Sequence, residues 1–265
     1  MNIYIRELRA HKRSSIIWCI SMFLLIAAAM TKYSAALGAG AGSFNEIMAQ
    51  MPKSLQNLLG VGVFDLSNVL DYFGVLFIYL ALMGGVHAVM LGAGIISKEE
   101  RDKTAEFLMV KPISRTRIIS AKLLAAATII FIFNIVTWLS SYIMLLKYST
   151  GDPVTQGLAK LMVSLLAVQV LFLSIGTVFA AIISNNKRSL AASTGLLLMM
   201  FIMYVIVDIS EKVQFLKFLT IFKYFDAKVI LKGNYDAVYA VISAAILLLN
   251  LYATYHFYKR RDLKI

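Results

Sequence analysis

The chain has 265 residues, of which 60% are hydrophobic and only 15% charged, with a mean hydropathy of +0.78. A soluble domain of that size needs far more charge to cover its surface, so a soluble enzyme or binding module is excluded. The net charge of +12 taken alone would suit nucleic acid; in a membrane protein Lys and Arg gather in cytoplasmic loops, so no nucleic-acid partner is expected.

Residues 1–14 alternate apolar and basic side chains. Arg6, Arg9 and Arg13 share one helical face while Ile5 and Leu8 point elsewhere. That is the pattern of an interfacial helix anchored to anionic lipid, although an ordinary basic flank reads the same way. An apolar run follows and defines a first span at 15–36. Lys12 and Arg13 before Ala27-Ala28-Ala29 resemble a signal peptide, but the run continues to Leu37, too long for an h-region, so a retained span is expected. Cys19 lies in this run and has no second cysteine to pair with. No Cys/His cluster has metal-ligand spacing, so no metal site is expected.

The second span, 70–97, carries Ala81, Gly85, Ala88 and Gly92 at spacings of four, three and four. They form one small-residue face for close helix packing, within one subunit or between two. Further apolar runs set spans at 118–146, 156–183, 189–209 and 237–258, each about long enough to cross a bilayer. Tyr and Trp residues such as Trp18, Tyr72, Tyr142, Tyr148, Tyr239 and Tyr255 mark their ends. Polar groups inside the spans are few: His87, Asn134, Gln169 and, near the end of the fifth, Asp208. An intramembrane ionisable group is a functional candidate by default, and a histidine that only bonds a neighbouring helix is the plainer reading of His87. No spaced Asp/Glu relay is visible, which counts against an ion-coupled secondary transporter. His11, His87 and His256 lie in different segments, which counts against a membrane-embedded enzyme.

The loop between the second and third spans, 98–115, is highly charged at first. It then brings Glu106, Phe107 and Leu108 to the surface before Pro112 stops the helix that 98–110 would form. Thr104, Phe107 and Leu108 share a face suited to a groove on a cytoplasmic partner; a merely solvated basic loop is the alternative. Residues 210–236 mix five lysines with Phe215, Phe218, Phe222, Phe225 and several aliphatics. Charge at that density makes a seventh span too costly. An interfacial or shallow re-entrant segment is expected, its lysines reaching toward headgroups.

Charge then orients the bundle. With the N-terminus cytoplasmic, the inner segments hold 17 of the 26 basic residues and 6 of the 14 acidic ones, leaving +11 of the +12 on that side. Both termini are therefore expected in the cytoplasm. The fold class is an all-α membrane protein of one domain, 1–265. It has six transmembrane helices, an N-terminal interfacial helix, a cytoplasmic helix in 98–115, and an outer segment before the last span.

The pattern carried by Glu99, Glu100, Thr104, Glu106, Leu108, Pro112, Ser114, Arg115 and Lys122 resembles that of the ABC-2 type transporter permeases. Met51-Pro52-Lys53-Ser54-Leu55 through Asp65-Leu66 is similar to the family's first outer loop. Phe222-Lys223-Tyr224-Phe225-Asp226 and Tyr258-Lys259-Arg260-Arg261-Asp262 are similar to its last outer loop and tail. The family commonly has Gly before the motif's Thr, where this chain has Lys103. The resemblance implies that Glu99, Glu100, Thr104, Glu106, Phe107, Leu108, Pro112 and Arg115 belong to a coupling helix that docks on a separate ABC ATPase subunit. ATP and Mg would be bound by that partner, with no cofactor and no catalytic site in this chain; no Walker motif occurs in it. The resemblance further implies a second permease subunit, as a homo- or heterodimer, in the lipid of a bacterial cytoplasmic membrane. The implied function is export, and the apolar spans and modest outer loops suit a hydrophobic or amphipathic substrate. A secondary transporter, or a non-transporting membrane anchor or assembly subunit, is the alternative.

Overall fold

The computed structural model describes residues 3–38, 50, 52, 56, 64–101, 114–149, 153–233 and 235–260. Six helices in it are long and apolar enough to cross a membrane: α1 (Ile3–Gly38), α2 (Val69–Arg101), α3 (Arg115–Tyr148), α4 (Thr155–Ile182), α5 (Asn186–Ile209) and α8 (Ala237–Arg260). Helix is the form an apolar chain must take where no water can satisfy its backbone. The shortest, with 24 residues, is about 36 Å long at 1.5 Å per residue, enough for a hydrocarbon layer of about 30 Å.

Local chemistry sets the ends. Asn68 Oδ1 accepts from Leu70 N at 2.8 Å and starts α2. Ser114 accepts from Arg117 N and starts α3; Asn185 accepts from Arg188 N and starts α5. Each supplies an acceptor to amide groups that a helix leaves unpaired at its N-terminus. Residues 3–14, expected as a separate interfacial helix, are the first turns of α1, which runs without a break into the first span. No proline or internal glycine interrupts residues 3–37, and nothing else in the run ends a helix.

The centre of the bundle is the α2–α4 pair, its most extensive helix contact; α5 packs on α2, α8 on α4, and α1 on α3. Small residues make the central pairing close. A Cβ on Gly92 would collide with the Leu173 carbonyl oxygen, and one on Gly176 with that of Val89. The two backbones therefore touch directly. Of the predicted small face, Ala81 and Ala88 are also buried, and Gly85 faces Phe172 and Leu197.

Between α5 and α8 the chain forms a 3₁₀ stretch (Glu211–Leu219), then α6 (Ile221–Tyr224) and α7 (Ala227–Lys232). This segment turns back into the bundle. Thr220 Oγ1 donates to the Met200 carbonyl at 2.8 Å, and Phe222 stacks on Phe172 near the middle of α4, with ring centroids 5.2 Å apart. Ile221, Phe222, Tyr224, Ala227 and Ile230 are buried.

Candidate functional site

Three groups of polar residues are embedded in this apolar framework. The first lies at the end where α1 and α3 begin and α2 and α8 finish. Glu7 is completely buried there. Its carboxylate accepts from Arg6 at 2.8 Å and from Lys98, in the last turns of α2, at 3.0 Å. Lys122 on α3 is also completely buried, its ammonium donating to the Ile95 carbonyl of α2. Asn186, at the start of α5, donates to Ser97 Oγ at 2.5 Å. Arg115 opens α3 and donates to the Lys259 carbonyl of α8 at 3.1 Å. Contacts among these few residues thus join α1, α2, α3, α5 and α8 at one end. A buried carboxylate survives only when cations and donors surround it, and here they come from sequence positions up to 91 residues apart.

Glu99 and Glu100 fall in the last turn of α2, with side chains outside what is described. Thr104, Glu106, Phe107, Leu108 and Pro112 lie outside the described residues. Of the predicted docking set, Arg115 alone has a described side-chain contact.

The second group lies within the spans. Asn134 on α3 donates to Gln169 Oε1 on α4 at 3.3 Å and to the Met162 carbonyl at 3.2 Å. Those two predicted residues are brought together. His87 is not bonded to them. It sits between the rings of Trp18, 5.3 Å away, and Phe133, 4.6 Å away, and its Nδ1 has no hydrogen-bond partner among the described residues.

The third group is at the opposite end. Asp208 accepts from Lys223 at 2.5 Å and from Lys228 at 3.2 Å; Asp226 accepts from Lys223 at 2.8 Å. The Lys223 ammonium also lies 4.7 Å from the centre of the Tyr204 ring. Burial by itself lowers the Lys223 pKa, but the Asp226 and Asp208 carboxylates outweigh it and hold it above the ordinary lysine value. Lys223 and Lys228 were expected to reach toward headgroups; they fold back instead onto Asp208 and Asp226, whose carboxylates stand within ion-pair distance.

Neither Glu7 nor Lys98 is among the site residues expected from the sequence, and Lys122 is there only as part of a motif. Signals were present: Glu7 is the only acid before Glu46, and Lys122 interrupts an apolar run.

No individual curated protein matches the chain. A family described as "ABC-2 family transporter protein" matches residues 1–263, nearly the whole length. Six membrane-capable helices in one continuous bundle agree with that match. The chain belongs to the ABC-2 transporter family and is a multi-pass membrane subunit of an ABC-type transporter.

Proposed function

We propose that the chain is the membrane-spanning half of an ATP-driven exporter that moves a hydrophobic or amphipathic substrate out of the cytoplasm. Its ATPase is a separate subunit docking on residues 98–115, with ATP and Mg held by that subunit and none in this chain. Both termini are cytoplasmic, the membrane is a bacterial cytoplasmic membrane, and a second permease subunit completes the transporter.

The observation that carries this reading is how the two flanks of residues 102–113 are tied. On one side Lys98 bonds Glu7 of α1; on the other Arg115 bonds the end of α8. Force applied between those flanks reaches the ends of α1, α2, α3 and α8 together, which is the mechanical need of an ATPase that must bias two states of the bundle.

The test is co-purification from mild detergent with ATPases of the same cell. An ATPase should co-elute with the wild-type chain and be lost from the double variant Glu106→Arg, Leu108→Asp. A wild-type protein that retains no ATPase, in nanodiscs as well as in detergent, would remove the exporter reading.

A further inference from the structure

A cavity of about 290 Å³ opens between α1, α2 and α5, at the small end of the range for ligand sites. Its lining changes character along the helices. His11, Ser14, Lys98 and Asn186 stand toward the end where α1 begins; Trp18, Met90, Leu91 and His87 line it further along α1 and α2. Lys98 and His87 are eleven residues apart on α2, about 16 Å along the axis.

Charge selects among ligands. Among the described residues, Lys98 is the one fixed charge in the lining, and no carboxylate shares the wall with it. Glu7, its ion-pair partner, is completely buried, its carboxylate 3.0 Å from the Lys98 ammonium and 3.9 Å from His11 Nδ1. One of the three ammonium N–H groups meets Glu7, and the others can meet an anion in the cavity. At the inner end His87 lies against the rings of Trp18 and Phe133, its buried Nδ1 without a hydrogen-bond partner among the described residues.

Gly94 faces this space. A Cβ built on it meets nothing within 4 Å, whereas one on Gly92 strikes backbone. Gly92 is required by helix contact; Gly94 is not, and a mid-helix glycine costs about 1 kcal/mol relative to alanine. A methyl there would leave the cavity open, whereas a longer side chain would project into it.

We infer that this cavity binds one chain of an anionic amphiphile, its carboxylate or phosphate at Lys98 and its apolar body against Trp18, Met90 and Leu91. This is a statement about binding, made without reference to the ATPase, and it stands or falls separately from the exporter reading. The headgroup belongs either to a free amphiphile or to a lipid of the surrounding bilayer.

The chain has two tryptophans, and Trp138 lies on α3 away from the cavity. Trp138→Phe therefore leaves Trp18 as a single fluorescent reporter in the wall. The full chain with that change, in phosphatidylcholine nanodiscs, is titrated with 12-bromododecanoate, whose bromine quenches at contact. Saturable quenching is expected above the linear rise caused by partition into lipid. Gly94→Leu should remove the saturable part, Gly94→Ala should keep it, and Lys98→Gln should weaken it about tenfold, the loss of one charge-assisted bond. 12-Bromododecanol should give only the linear rise. If phosphatidylglycerol in the nanodisc abolishes the saturable part, the site is confirmed with bilayer lipid as its occupant; if it does not, a free amphiphile is the occupant. Quenching that never saturates, that saturates equally with the alcohol, or that survives Gly94→Leu overturns the proposal. Far-UV circular dichroism and melting of Gly94→Leu establish that the fold is kept.

Discussion

The two ends of the bundle both bury charge, and they do so in opposite ways. At the Asp208 end all four partners fall within 21 residues of chain, between positions 208 and 228, and they fix one inserted segment. At the Glu7 end, residues 7, 98 and 122 come from three helices, and Arg115 with Lys259 adds a fourth. A local cluster stabilises a shape; a long-range one couples elements that otherwise share only apolar contact. Damage should therefore stay confined in the first case and spread in the second.

The largest effect should come from Glu7→Ala. Removing the buried carboxylate leaves Lys98 without its partner, a loss of about 3–5 kcal/mol. Hydrogen exchange should rise in α1, α2 and α3 alike; a rise limited to the first turns of α1 would break the comparison. Asp208→Asn should cost less, about 2 kcal/mol, because Lys223 keeps Asp226. Its extra exchange should stay within residues 211–232. Arg115→Ala removes the bond to the Lys259 carbonyl, a loss of about 1 kcal/mol for that bond. ATPase co-elution should weaken more than that small loss suggests. Asn134→Leu breaks two α3–α4 hydrogen bonds, to Gln169 Oε1 and to the Met162 carbonyl, each worth about 0.6 kcal/mol in a membrane, and should leave both ends unchanged.

The smallest effect concerns pH. The folded pKa of Lys223 lies above its ordinary 10.5, so its ion pairs contribute fully below that value. Their contribution is lost as pH rises through the folded pKa. Exchange in residues 211–232 should thus be flat from neutral pH to about 10, once corrected for the intrinsic rate, and rise above it.

Much of this was legible beforehand because the bilayer enforces it. Spans declare themselves by apolar length, and the predicted limits of α4 and α8 agree with the observed helices to within two residues. The motif around Arg115 carried the family. The Glu7–Lys98 pair was not legible, since a lone acid among arginines looks like a solvated face and nothing local ties it to a lysine 91 residues on. The pairing of Lys223 was hidden differently. Its lysines suggested headgroups, and only the return of the chain alongside α5 to Met200 brings them over Asp208. Residues 3–14 read alike as a surface helix or as the basic flank of a span, because basic residues at helical spacing look the same in both, and α1 runs through them without a break.

The backbone contact of Gly92 with α4 has a mechanical consequence. With no side chain between them to compress, α2 and α4 cannot approach further at that point, so a rigid α2 that tilts must rock about it. The arms of that lever are unequal: nine residues from Gly92 to Arg101 and 23 back to Val69, about 14 Å against 35 Å. A shift of 1 Å at the Arg101 tip therefore emerges, reversed and enlarged about 2.5-fold, at the far tip, where α2 bears on α7.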